Sequence, residues 1–345
     1  MADAIQDIFG TLLRGGSLSQ DQAERAFMLV LDGKLDDAQI GGLLALMATR
    51  GASVEELVGA TLAVRRHATA VEAPPGLTLV DTCGTGGAPK TFNVSTISAI
   101  VIAAAGQGLI PRVGVAKHGN RSRTGRGSAE ALEALGMNIS ASPAAQARSL
   151  REIGVCFSFA PGHHQAARHA STARRSLGFA TIFNLIGPLA NPAGVRRQLM
   201  GTWTAENAGK LAESLRRLGA ERAMVFSSDD GMDELTTTSV NRTFVVERGS
   251  VAPGELDATK FGFRRASIGD LSVSSLEEAA RVFAEILGGA GGPRTDQVLL
   301  NAGAGIWIGG GVGDIGSGIA VAREAIASGR AKRTLAEMIR LSHET

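Results

Sequence analysis

The chain has 345 residues, with 35 Lys and Arg against 33 Asp and Glu, for a net charge of +2. That length buries a substantial core in one large or two unequal domains, and the near-balanced charge argues against a nucleic-acid binder that works through bulk charge. Tyrosine is absent and aromatics are only 4%, which leaves little for base stacking. The two cysteines, Cys83 and Cys156, give neither a disulfide framework nor zinc spacing and fit a reducing cytoplasm. The first fourteen residues hold Asp3 and Asp7 and no long apolar stretch, so no signal peptide is expected there. The apolar run 97–105 is too short to span a bilayer. A cytoplasmic protein with no membrane or nucleic-acid partner is expected.

The first seventy residues read as helices. Ser19 with Gln22 and Ser53 with Glu56 fit the capping box, and Asp36 with Gln39 resembles it with Asp as the cap. Apolar residues recur at helical spacing at Ala23, Phe27, Val30 and Leu31, and at Ile40, Leu43, Leu44 and Met47. Gly33 and Gly51 are plausible stops. Pro74-Pro75-Gly76 marks a crossover into a second domain. Short apolar runs follow at 77–80, 113–115, 155–159, 199–203 and 223–226, each separated by a loop and a helical stretch. This rhythm predicts a mostly parallel sheet covered by helices. Residues 243–246 and the turn Arg248-Gly249 predict an antiparallel addition, and the chain reads as mostly helical from 275 onward. The fold class is therefore α/β: a small helical domain, 1–72, joined to a larger α/β domain, 73–345.

Two stretches, 82–129 and 153–205, contain no Asp or Glu, although acids are nearly half of the charged residues overall. A surface that holds a multiply charged anion has reason to exclude carboxylates. Gly84-Thr85-Gly86-Gly87 follows the first strand, where glycines let backbone N–H groups approach phosphate oxygens. Asn93, Ser95 and Thr96 stand at the start of the next helix, which favours an anion. Lys117-His118-Gly119-Asn120-Arg121, with Arg123, Thr124, Arg126 and Ser128, reads as a second, basic loop without acids to balance it. Asp233-Glu234 ends the turn after strand 223–226, and adjacent carboxylates there suit Mg²⁺. His163, His164 and His169 have poor metal spacing and read as structural or substrate contacts. One of Arg174 and Arg175 facing the site would suit a carboxylate on the substrate, and the spacing does not choose between them. Gly311-Val312-Gly313-Asp314-Ile315-Gly316 matches the dinucleotide fingerprint but lacks a preceding strand, and reads as a helix–helix turn.

Together these motifs resemble the anthranilate phosphoribosyltransferase family. The resemblance runs through Asn93-Val94-Ser95-Thr96, the Lys117 motif, Gly127-Ser128-Ala129, residues 181–189 with Asn191-Pro192, Asp230-Gly231-Met232-Asp233-Glu234 and Leu300-Asn301-Ala302. It implies a homodimer whose helical domain takes a further contribution from about 166–189. It implies phosphoribosyl diphosphate binding by Gly84, Gly87, Ala88, Thr91, Asn93, Val94, Ser95, Thr96, Lys117, His118, Gly119, Asn120, Arg121 and Ser128. It implies anthranilate contacts at Gly84, Asn120 and Arg174, Mg²⁺ at Ser95, Asp233 and Glu234, and catalytic roles for Lys117, Asn120 and Arg174. The family's glycine loop usually continues with an Asp, where this chain has Ala88-Pro89. Two alternatives use the same parts: a nucleoside phosphorylase of similar architecture, and a non-catalytic nucleic-acid-binding relative.

Overall fold

The computed structural model describes residues 2–86, 91–122 and 125–344, with side chains from residue 5 onward. The helices Gln20–Leu31, Asp37–Arg50 and Val54–Arg66 begin at the three expected capping boxes, each closed in both directions. Gly51 caps the second of these at φ 73°, and Gly33, one residue past a cap at Asp32, has φ 67°.

Seven strands form one sheet: β1 (Leu77–Gly84), β2 (Arg112–Gly119), β3 (Val155–Phe159), β4 (Arg197–Gly201), β5 (Arg222–Ser228), β6 (Asn241–Glu247) and β7 (Ser250–Leu256). The order is β3-β2-β1-β4-β5-β6-β7. Pairings from β3 to β5 are parallel, and β6 and β7 add antiparallel. The chain builds outward from β1 on one side, then returns to build β4 and β5 on the other. The reversal falls between β1 and β4, and a crevice outside their carboxyl ends is where an open sheet of this kind takes a ligand.

Alternate residues of the strands face different cores, as the pleat requires. Val80, Val115, Phe157, Leu199 and Phe226 join the core built on Val94–Gly106, an almost wholly buried helix, and on Pro293–Ile308. Cys83, Met200, Val225 and Val246 face the other way, into the core of the N-terminal helices. Ala170, Ala173, Ile182, Phe183, Ile186 and Leu189 complete that second core from a later part of the chain. Two connections between the lobes lie side by side. Thr69 N–H donates to the His163 carbonyl at 2.8 Å, Val71 N–H donates to Pro192 at 3.1 Å, and the Arg65 guanidinium grips the Leu189 carbonyl at 2.7 and 2.9 Å.

The glycine-rich stretch after Trp307 is the expected helix–helix turn, between Pro293–Ile308 and Ile315–Ala327. Strand ends differ from the sequence expectation. β1 runs past Asp81 to Gly84, and β2 continues through Lys117 and His118 to Gly119, because parallel partners on both sides supply the ladder that the polar residues obscure. No helix of the described residues is long and apolar enough to cross a membrane.

Candidate active site

The site grows from the close approach of the acid turn to the ends of β1 and β4. Gly201 and Gly84 make this possible. A Cβ on Gly201 would lie 1.9 Å from the Asp233 carbonyl oxygen, and one on Gly84 would lie 2.7 Å from Asp233 Oδ2. With both Cβ atoms missing, the Asp233 carboxylate accepts the Gly86 N–H at 2.9 Å, and Glu234 Oε1 accepts the Ser95 N–H at 3.3 Å. The acid turn is thereby tied to the glycine loop and to the first turn of helix Val94–Gly106. Thr85 closes the crevice floor, its N–H on the Gly201 carbonyl at 2.9 Å and its hydroxyl on Thr202 Oγ1 at 3.1 Å.

Burial raises the Glu234 carboxyl to about 7, and the Asp233 charge beside it adds to the shift. Lys117 and the Ser95 hydroxyl pull the other way. Carboxylates this close and this poorly solvated want a cation. The donors here are carboxylate and hydroxyl oxygens, with no third acid, His or Cys joining them among the described residues. That set fits Mg²⁺, which takes few protein oxygens and shares its remaining positions with water and phosphate.

At the helix start, Asn93 Nδ2 holds the Arg126 carbonyl at 3.2 Å, while Asn93 Oδ1 and Thr96 Oγ1 are buried without a hydrogen-bond partner among the described residues. Val94 contributes little beyond packing: its side chain is in the core and its N–H goes to the Phe92 carbonyl. Thr91 is partly exposed at the entry to this turn. Gly87 and Ala88, together with Lys90, Arg123 and Thr124, lie outside the described residues.

Lys117 and His118 belong to a strand, not to the loop expected from sequence. Lys117 is buried, with its ammonium on the Thr82 and His118 carbonyls. The fully buried Asp81 faces it. Burial pushes that carboxyl up and the Lys117 charge holds it back. Asp81 also accepts the His118 N–H at 3.3 Å and the Gln198 amide at 3.4 Å. A Lys inside an apolar strand signals a buried counter-charge, and Asp81 stands just outside the acid-free stretch. Gly119 lies against Ser128 Oγ, which a Cβ would meet at 2.9 Å, so Ser128 stands over the end of β2. Asn120 is exposed and its Oδ1 accepts the Arg121 N–H at 2.8 Å.

The basic loop does have acids, contrary to the sequence reading. They come from the next helix, Ser128–Ala134, where Glu133 pairs with Arg121 at 2.8 Å and Glu130 accepts the Ser122 N–H at 3.1 Å. The Arg126 guanidinium is spent on the Val273 carbonyl.

Arg174 comes from the helical lobe, on helix Ser171–Leu177, with its guanidinium 4.7 Å from the centre of the Phe183 ring. Burial lowers its pKa. No hydrogen bond or ion pair joins it to Asn120 or Gly84 among the described residues. It is half-buried and Arg175 is exposed, a choice that spacing left open. His163 is structural, with Nδ1 on the Thr69 carbonyl at 2.7 Å and Nε2 at 3.0 Å from the Gln146 amide nitrogen. The His169 ring packs over Gly33.

Known proteins share this build. Residues 6–68 match the helical bundle domain of the glycosyl transferase family, and residues 76–332 match its a/b domain. Fold and site thus define a glycosyl transferase of the two-domain class. The chain is 40% identical to the anthranilate phosphoribosyltransferase of Teredinibacter turnerae, covering 98% of this chain and 99% of that protein. It is 42% identical to the one from Rhodospirillum rubrum, over 98% and 96% of the two chains. The crystal structure of anthranilate phosphoribosyltransferase from Thermus thermophilus superposes with a TM-score of 0.90 at 35% identity, over 99% of both chains. The Saccharomyces cerevisiae enzyme, at 24% identity, shares the fold with a TM-score of 0.88. The chain belongs to the anthranilate phosphoribosyltransferase family.

Proposed function

We propose that this protein transfers the 5-phosphoribosyl group of phosphoribosyl diphosphate to the amine of anthranilate, giving N-(5-phosphoribosyl)anthranilate and diphosphate, in tryptophan biosynthesis. The observation that carries this reading is the bonding of Asp233 and Glu234 to the N–H groups of Gly86 and Ser95 at the sheet's reversal point. It puts hard oxygen donors beside a loop suited to phosphate. No feature of the site favours a nucleoside phosphorylase or a nucleic-acid binder over this reading.

The amine of anthranilate is aromatic and a weak nucleophile. Early loss of diphosphate builds positive charge on the ribose ring, as in other glycosyl transfers. The protein's task is to hold the leaving diphosphate and to bring the amine to C1. The diphosphate sugar falls to Gly84, Gly87, Ala88, Thr91, Asn93, Val94, Ser95, Thr96, Lys117, His118, Gly119, Asn120, Arg121 and Ser128. Asn93 Oδ1 and Thr96 Oγ1, unpaired among the described residues, support this assignment. Arg121 would leave Glu133 for phosphate, an exchange of one surface ion pair for a stronger one. Anthranilate falls to Gly84, Asn120 and Arg174, whose planar guanidinium suits a carboxylate. Ser95, Asp233 and Glu234 would hold Mg²⁺, which when bound offsets charge on the departing diphosphate.

We read residues 1–72, with about 166–189, as a helical domain that closes over the α/β domain, 73–345, to exclude water. The shared core of Phe27, Ala173 and Phe183 supports that grouping. A homodimer in the cytoplasm completes the reading, and sedimentation of the purified protein checks the first part. The decisive experiment mixes protein, phosphoribosyl diphosphate and Mg²⁺ with anthranilate and follows loss of anthranilate fluorescence. Unchanged fluorescence at high protein concentration would remove the proposal.

A further inference from the structure

One pair of histidine rings beside the cleft is poorly satisfied among the described residues. His118, near the end of β2, is buried, and its Nε2 has no hydrogen-bond partner among the described residues. His164 follows the short helix after β3, and its buried ring nitrogens make no hydrogen bond of ordinary geometry among the described residues, although the Ala190 backbone acts on the ring. The two ring centres are 5.1 Å apart and the planes are tilted by 58°. Buried polar atoms ordinarily find partners, and an orphan costs about 1–3 kcal/mol. Poorly satisfied imidazole nitrogens on two rings in one place therefore need a reason. The fold is able to satisfy a histidine here, since the adjacent His163 is bonded at both nitrogens.

The surroundings keep both open rings uncharged. Burial holds His118 well below the usual imidazole range, and His164, Lys117 and His163 push in the same direction. Asp81 meets His118 through the backbone N–H. Burial lowers His164 to about 4, His163 adds to the effect and the Ala190 backbone opposes it. An uncharged imidazole with a bare nitrogen is a proton acceptor.

The reaction proposed above, on which this inference rests, has a proton to place. When the amine nitrogen bonds to C1, the C1–O electron pair leaves with diphosphate, and the nitrogen must shed one of its two hydrogens to end neutral. We infer that the His118–His164 pair accepts this proton. A lone pair on an open ring nitrogen takes it as the C–N bond forms, and the resulting imidazolium passes it to water. The chain order supports the placement. His164 leads through residues 165–170 directly into the helix that carries Arg174, and His118 stands two residues before Asn120. The pair is thus tied by short chain segments to both side chains assigned to anthranilate.

The test begins with the wild-type single-turnover rate, in H₂O and in D₂O. An inert wild type would sink the phosphoribosyl-transfer reading, and this inference with it. An active wild type with no solvent isotope effect on that rate would overturn the proton-acceptor role alone. His118→Gln and His164→Gln keep polar atoms in place but cannot take a proton. The double variant is expected to lose about 10²-fold or more in single-turnover rate at saturating phosphoribosyl diphosphate, and to lose the solvent isotope effect. A raised KM for anthranilate with an unchanged rate would make the pair a binding contact only and refute the assignment. Should the double variant fail to fold, the wild-type isotope effect and the more exposed His164→Gln variant still decide the matter.

Discussion

Replacing Gly201 by alanine attacks the site without touching any group that would contact substrate. The new Cβ would stand 1.9 Å from the Asp233 carbonyl oxygen and 2.4 Å from its carbonyl carbon, both backbone atoms, with the Phe226 ring at 2.9 Å behind. Ordinary contact begins near 3.4 Å, so the acid turn must retreat by about 1.5 Å. A shift of that size breaks the 2.9 Å bond from Gly86 to Asp233 and the weaker one from Ser95 to Glu234. Overpacking of this kind destabilises by about 1–3 kcal/mol, which a chain of this length survives. Misplacement of about 1 Å at reacting groups costs on the order of 10²-fold in rate. Gly201→Ala is therefore expected to fold, to lose about two orders of magnitude in kcat, and to need more Mg²⁺ for half-maximal rate. Anthranilate fluorescence decay, titrated with Mg²⁺, reads both. Wild-type kcat together with a wild-type Mg²⁺ curve would show that the approach of the acid turn to β4 does not matter, and the reasoning from missing Cβ atoms would be wrong.

Arg174→Ala should raise the KM for anthranilate about 10- to 100-fold, the worth of a charge-assisted hydrogen bond, while the KM for phosphoribosyl diphosphate stays near wild type. Equal effects on both would remove Arg174 from anthranilate binding. The double change Asp233→Asn, Glu234→Gln should abolish turnover or raise the Mg²⁺ requirement sharply, and an unaltered Mg²⁺ titration would refute the metal role. His67 gives a pH signature away from the site. Its Nδ1 lies 2.8 Å from the Ala63 carbonyl and its Nε2 lies 3.0 Å from Asp32, and these contacts, the Ala63 one foremost, raise its pKa above 6.5. The stabilisation is then fully present below pH 6.5 and fades as pH rises through the higher folded value. Melting temperature should fall slightly across that window in wild type and stay level in His67→Asn. A level wild-type curve would remove the ion pair as a contributor.

Much of this was open to reading from sequence where local chemistry decides structure. The three capping boxes fix helix starts through bonds spanning three residues, so Ser19, Asp36 and Ser53 gave them away. The glycine loop and Asp233-Glu234 stood out because they occur together with a basic segment at successive strand ends, although each alone reads equally as a turn. What stayed hidden depends on contacts distant in sequence. Asp81 looked like a strand terminus because its counter-charge, Lys117, comes from the neighbouring strand. The basic loop looked unbalanced because Glu130 and Glu133 fold back from the following helix. β7 went unread because it carries Pro253-Gly254, which only an edge strand accommodates readily. The nearness of His118 to His164 follows only from the pairing of β2 with β3.

The borrowed half of the N-terminal core has a consequence for biogenesis. Phe27, Leu44 and Leu57 leave the ribosome well over a hundred residues ahead of Ala173, Phe183 and Ile186, which seal their cluster. Until then the nascent helices present an open greasy seam, and every parallel strand pair must also wait for its crossover. A stall near codon 150 would leave the amino-terminal bundle with that seam uncovered, the kind of transiently exposed apolar surface that favours aggregation.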